Sequence, residues 1–201
     1  MKWKDRIDVL AAIATIVALV LGFKEYYSAK EDTRISATLP YIARFKADAV
    51  FQSVLKIDGA WSSEEAKPYL ALQENDAPNW PAMQHEFIVS RGLATDVRIV
   101  TDFFDEFYIC ASHDICDLNL AISVLGQDIR GFCIEQCYHL AQERNGYHPQ
   151  LGCGLLRLFN AVRESNNGKT SVSISALQLP IKLLDRLDPK RLCPVVDRPA
   201  T

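Results

Sequence analysis

The sequence predicts an all-α protein: an N-terminal single transmembrane helix followed by a small helical bundle. Three observations predict it. Fifteen uncharged, mostly apolar residues, Val9–Phe23, lie near the N-terminus. From Ile42 to Val162, apolar residues recur at three- and four-residue spacing. No alternating run is long enough for a strand, and Ser171–Ser175 (SVSIS) is too short to weigh. A chain of 201 residues fits one domain plus an anchor. With 49% apolar and 23% charged residues it has material for a core. A net charge of −3 argues against a nucleic-acid binder, which needs clustered Lys and Arg, so no DNA partner is expected.

The anchor comes first. A helix of fifteen residues spans about 22 Å, short of a hydrocarbon core of about 30 Å. The flanks supply the difference: Trp3 on one side, Tyr26 and Tyr27 on the other, with Lys2, Lys4, Arg6 and Lys24 able to extend toward headgroups. A cleaved signal peptide fits less well, because the following YYSAKED places bulky Tyr where a small residue should precede cleavage. A surface helix would not be apolar all round. Ala11, Ala12, Ala14, Thr15 and Ala18 would permit close helix packing in a bilayer. Basic residues on the two sides balance, Lys2, Lys4 and Arg6 against Lys24, Lys30 and Arg34, so charge does not set the orientation.

Residues 1–27 are therefore read as anchor with flanks, and 28–39 as a charged stalk. Residues 40–168 form the helical domain, and 169–201 a tail with four prolines in which only Pro180–Leu187 looks structured. Pro40 suits a first helical turn, and Asp58-Gly59 a stop. Ser62 or Ser63 would cap Glu64–Gln73, and Asn75–Pro81 (NDAPNWP) reads as a loop. Ala82–Ser90 ends at Arg91-Gly92, and Thr95 or Asp96 starts a helix with the stripe Val97, Val100, Phe103, Phe104, Phe107 and Cys110. Asp117 would cap Leu118–Leu125, a long helix follows over Gln127–Arg144, and Asn145-Gly146 stops it. Pro149 opens a last helix through Leu151, Leu155, Leu158, Phe159 and Val162, stopping before Asn166-Asn167-Gly168. Residues 35–176 carry 11 basic and 17 acidic side chains, an acidic body that an anionic leaflet would hold off on the stalk.

Six cysteines, Cys110, Cys116, Cys133, Cys137, Cys153 and Cys193, fall mostly within apolar helical patterns. They read as core-filling thiols in a reducing cytosol rather than as a disulfide framework. Cys110-x2-His113-x2-Cys116 and Cys133-x3-Cys137-x-His139 contain zinc-type ligands, but on a regular helix His139 points about 120° from Cys133, so the second set does not converge. No metal and no cofactor is expected. His113-Asp114 lacks the distant His and Asp that a metal phosphohydrolase requires. Gly168-Lys169-Thr170 has Arg163 where a phosphate loop needs Gly. Asp102, Asp105 and Glu106 read as a solvated helix face, and Asp114 and Asp117 as turn and cap residues.

Arg144-Asn145-Gly146-Tyr147-His148 resembles the Arg-polar-x3–4-His signature of HEPN-type ribonucleases, helical bundles of which some are membrane-anchored in antiviral systems. That resemblance implies Arg144 and His148 as catalytic residues from paired subunits, assisting attack by an RNA 2′-hydroxyl. The His stands one residue early, and Gly146 falls between the two. A second resemblance rests on Asp102-Phe103-Phe104-Asp105-Glu106-Phe107, Asp114 with Asp117-Leu118, and Leu125-Gly126-Gln127-Asp128-Ile129. This pattern, with the anchor, is similar to an uncharacterised bacterial membrane-anchored helical family (DUF4760-like). It implies an inner (plasma) membrane protein, single-pass, with its main domain cytosolic, and brings no catalytic residues.

The function expected from all this is a single-pass membrane-anchored helical interaction module, self-associating or partner-binding. Its expected partners are the lipid bilayer and either a homo-oligomer or another membrane protein. The alternative is a membrane-anchored HEPN-like ribonuclease effector using Arg144 and His148.

Overall fold

Pro40 does not start a helix; it lies inside one. Helix α1 runs unbroken over Trp3–Ala47, about 67 Å at the α-helical rise. Proline lacks the N–H that would bond the Ser36 carbonyl, but Ser36 and Pro40 are both exposed, so water serves that carbonyl. The structure, a computed structural model, describes residues 3–47, 49–74, 80–146 and 150–167, and every element among them is helical. After α1 come α2 (Ala49–Trp61), a 3-10 turn (Glu64–Ala66), α3 (Lys67–Glu74) and α4 (Trp80–Ser90). Then follow α5 (Ala94–Ser112), α6 (Leu118–Gly146) and α7 (Cys153–Asn167). Pro149 and the tail 169–201, with Pro180–Leu187, lie outside the described residues.

The apolar stripe of α5 is the centre of the fold. Val97, Val100, Phe103, Phe104 and Phe107 are all buried, as the periodicity predicts. Helices α2 and α7 pack on α5, while α6 packs on α4 and α7. Phe45 of α1 lies 5.4 Å from Phe103 and 5.6 Å from Phe104, ring centre to ring centre, and Phe104 lies 6.0 Å from Phe132 of α6. A second aromatic group joins Trp61 to Phe87 at 4.3 Å and Tyr69 to Phe87 at 4.8 Å. That group explains why Asp58-Gly59 does not stop α2: Ile57 and Trp61 must both reach the core, so the helix continues past the glycine.

Two helices expected separately merge into α6. Gly126 stays helical because Val162 of α7 packs over it, 3.7 Å from where a Cβ would sit. Asp117 caps α6 as expected, accepting from the Leu120 amide at 2.8 Å. Asp96 caps nothing; it is buried and accepts from Ser53 Oγ at 2.9 Å and Lys56 Nζ at 3.1 Å, joining α2 to α5. Ser63 occupies the expected capping position, but its hydroxyl donates back to the Ala60 carbonyl. Trp80 and Pro81, expected in a loop, open α4. Arg91-Gly92 ends it, with Gly92 at φ 67°.

The stalk is not free. Residues 28–39 read as solvated, yet their second half docks on the body. Asp114, at φ 63°, pairs with Lys30, and Arg34 Nη1 lies 3.3 Å from its carboxylate. Thr38 is fully buried and its Oγ1 accepts from the Asp117 amide at 2.7 Å. Polar contacts do this work, so a search for an apolar stripe misses it. Thr15 to Thr33, by contrast, are exposed throughout, with Ile16, Val17, Leu19, Val20, Leu21 and Phe23 at 51–61% exposure. Among the described residues no helix is long and apolar enough to cross a membrane; in α1 the described side chains begin at Thr15, partway into the charge-free run.

The reading of the cysteines as thiols is corrected. Cys110 and Cys116 form a disulfide, and Cys133 and Cys153 are disulfide-bonded as well. Among the described residues no cysteine is free. Their apolar surroundings are real, but a bonded half-cystine is as apolar as a thiol, so burial could not separate the two states. The Cys110–Cys116 bond closes the α5–α6 turn that carries Asp114 and Asp117 to α1.

Candidate functional site

Among the described residues, those singled out by sequence do not converge on one spot, and the Arg144–His148 pairing reaches outside them. Arg144 is buried, its Nε donating to the Leu140 carbonyl at 3.3 Å and its Nη1 to Cys153 Sγ at 3.8 Å. Burial lowers its pKa, and nearby Asp105 partly offsets this. Its guanidinium is thus engaged inside the body, between α6 and the start of α7. His148 lies outside the described residues. Cys110 and Cys116 are bonded to each other and so offer no thiolates to a metal, while His113 is exposed.

The three acidic residues of α5 part company. Asp102 is exposed. Glu106 pairs with Arg44 of α1, whose hydrogen bond holds its carboxyl below the usual range. Asp105 turns inward and caps α7 from another helix, accepting from the Gly152 amide at 2.7 Å and the Leu155 amide at 2.9 Å. Burial pushes Asp105 up to about 6 even against these amides. Gly154 is required by this contact: a Cβ there would stand 2.7 Å from Asp105 Cα.

A different group does converge, where α4 crosses α6. His85 Nδ1 and His139 Nδ1 are 3.0 Å apart, with the rings stacked at 4.9 Å. Glu143 follows one turn after His139, and one ligand atom from each of the three lies within 4.8 Å of the others. His139 is 1% exposed; His85 and Glu143 are half-buried. Burial first, then His85, brings His139 down to about 4, so it is a neutral imidazole at pH 7. One face-to-face Nδ1 must then carry a hydrogen for the other to accept. Gln84, one residue before His85, reaches into α6: its side-chain amide donates to the Glu135 carbonyl and accepts from the His139 amide at 3.3 Å. Those two backbone groups are i→i−4 partners in a regular helix, so Gln84 inserts at the rung that sets His139. Arg98 of α5 lies 3.4 Å from Glu143 on the outer side.

Sequence reasoning missed this group because it tied His139 to Cys133 and Cys137 and left His85 unused. The spacing His139-x3-Glu143, i,i+4 on one helix, was the available signal. Nothing local linked His85 to it, since the contact is made by the α4–α6 crossing.

A second concavity lies between α1, α2, α5 and α6. It holds about 170 Å³, with Phe45, Phe104 and Phe132 as its floor and Asp58, Asp128 and Glu135 at its rim. Burial, then Asp58, pushes Glu135 up to about 7, and burial raises Asp58 and Asp128 too. This cavity can hold a proton near neutral pH.

No family model, curated protein or solved structure matches the chain.

Proposed function

We propose that this protein is a single-pass, membrane-anchored helical binding module, with its body on the oxidising side of the membrane. The observation that carries the reading is the contrast along α1. The helix is clamped to the body from Lys30 onward, yet its apolar stretch from Ile16 to Phe23 is left uncovered. Burying such a stretch in lipid is favourable by about 25 cal/mol for each Å² removed from water. In sequence the stretch belongs to the uncharged run Val9–Phe23, flanked by Trp3 and by Tyr26 and Tyr27 as interfacial anchors would be. The occupant we assign to it is therefore the lipid bilayer. The resemblance of the α5–α6 region to anchored bacterial helical proteins supports the anchor, but implies a cytosolic body rather than the side proposed here.

The disulfides support the oxidising side. Cys110–Cys116 and the bonded Cys133 and Cys153 fit an oxidising compartment, in place of the cytosol that a thiol reading favoured. Lys2, Lys4 and Arg6 would then lie on the cytosolic face and Lys24, Lys30 and Arg34 on the other, an arrangement that the balanced charges neither favour nor oppose. With the body held on a stiff helix rather than a flexible linker, the protein presents its surface at a fixed height, which suits recognition of a membrane-proximal partner or of a second copy.

Alkaline carbonate extraction tests the anchor. The full chain should stay with the membrane pellet, and Val17→Lys combined with Leu19→Lys should move it to the supernatant without lowering the melting temperature of the body. Release of the unaltered chain by carbonate would refute the anchor. Light scattering of the detergent-extracted protein separates self-association, seen as a discrete oligomer, from binding to a different partner, seen as a monomer.

A further inference from the structure

Two imidazoles from different helices, a carboxylate one turn away and a side chain wedged into the helix at the ligand rung occupy one spot in the bundle. We propose that His85, His139 and Glu143 form a three-ligand site for a divalent first-row transition cation, with zinc(II) the probe of choice. The donor set is chemically apt: two imidazoles and one carboxylate suit borderline cations such as zinc and leave Mg²⁺ or Ca²⁺, which favour oxygen, at a disadvantage.

The geometry fits without rearranging the backbone. An ion about 2.1 Å from each Nδ1, with the nitrogens 3.0 Å apart, subtends about 90° between them. That angle belongs to adjacent ligands in a five- or six-coordinate site and opens to a tetrahedral angle with a few tenths of an ångström of side-chain motion. His139 and Glu143 share a face of α6 by their i,i+4 spacing, the arrangement that helical bundles use to aim two ligands inward. His139 is fixed by burial, and Gln84 grips its backbone amide. His85 and Glu143 are half-buried, which leaves an approach from solvent. The charge balance is also suitable. Glu143 is shared with Arg98, whose side chain is 48% exposed and free to swing out as the cation takes its place. With three protein ligands the remaining positions fall to water, so the site is of the open type.

Binding at both Nδ1 atoms moves the hydrogen of one ring from Nδ1 to Nε2, so the neutral pair releases no net proton, while in acid protons compete with the cation for the same nitrogens. Affinity should therefore weaken as the medium is acidified. The groups facing His139 from the packed elements are His85 on α4, Arg98 on α5 and Glu143 on α6 itself. The first and last are ligands.

The test uses the full chain with its disulfides intact, purified in mild detergent and stripped with chelator. Titration with zinc chloride should show one ion per chain, and cobalt(II) should give visible d–d absorption from an ordered site. His85→Ala and Glu143→Gln, chosen because neither residue is fully buried, should melt as the parent does without zinc. His85→Ala should weaken zinc binding by more than about 100-fold, beyond what loss of an outer-shell partner costs. His113→Ala and His148→Ala should bind as the parent does. Absence of stoichiometric binding in the parent would overturn the site, as would unchanged affinity in both His85→Ala and Glu143→Gln. Because the readout is ion binding to the body, it stands or falls independently of whether α1 crosses a membrane.

Discussion

Helix α1 carries two regions under opposite conditions. From Arg34 to Phe45 it faces the body with Arg34, Thr38, Tyr41, Arg44 and Phe45, each placed against a partner on α5 or α6 or in the turn between them. From Thr15 to Thr33 the same helix is exposed on every side. Both regions carry apolar side chains: Ile16–Phe23 stands uncovered, while Ala37, Tyr41, Ile42 and Phe45 of the docked region pack on the core. An apolar run left uncovered in water beside such a packed region would be contrary to the hydrophobic effect. In the proposed anchor, lipid around the uncovered run would remove the contradiction.

The largest test of this contrast is a pair of truncations. Phe45→Ala removes a ring from the aromatic group with Phe103 and Phe104 and should cost about 3–5 kcal/mol in urea unfolding of the body. Leu19→Ala, in the uncovered region, should leave the urea midpoint unchanged. Equal effects would mean that the Ile16–Phe23 run packs on the body.

Glu135 gives the next effect. Its carboxyl is raised from 4.5 to about 7 by burial, so between those values the folded state holds a proton that the unfolded state releases. Stability should fall as pH rises from about 4.5 to 7 and level off above that. Asp105, raised to about 6, acts in the same direction. Glu135→Gln should match the parent at pH 4 and exceed it by about 1–3 kcal/mol at pH 8, by thermal or urea melts. A variant less stable than the parent at pH 8 would show that the charged form is held by groups other than those around the cavity.

Asp105→Ala deletes the cap that α5 provides to α7, leaving the Gly152 and Leu155 amides without their acceptor. A loss of about 1–2 kcal/mol is expected in the same melts. Smallest is Asp114→Asn at the clamp. Lys30 and Asp114 are both well exposed, so the global melt should not move measurably. The change should appear instead as faster amide exchange in α1 near Lys30–Thr38.

Much of the body was legible because its signals are local. The α5 stripe, the Asp117 cap, the Arg91-Gly92 stop and the apolar face of α7 each depend on residues within one or two turns. The errors arise where a distant partner decides. Gly59 and Gly126 read as breaks, but Trp61 and Val162 secure the helix across them. Asp96 and Asp105 read as a cap and a solvated acid, yet each accepts from another helix. The histidine–glutamate group was half legible, through His139-x3-Glu143, and needed the α4–α6 crossing to bring His85. Disulfides were illegible because pairing depends on tertiary distance and not on spacing.

The most direct test of the central claim is protease treatment of intact spheroplasts producing the full chain with a C-terminal epitope tag. The account predicts that external protease removes the tag while an N-terminal fragment stays in the carbonate-resistant membrane fraction. A tag protected until the membrane is permeabilised would place the body on the cytosolic side, and a chain recovered outside the membrane fraction would contradict the anchor itself.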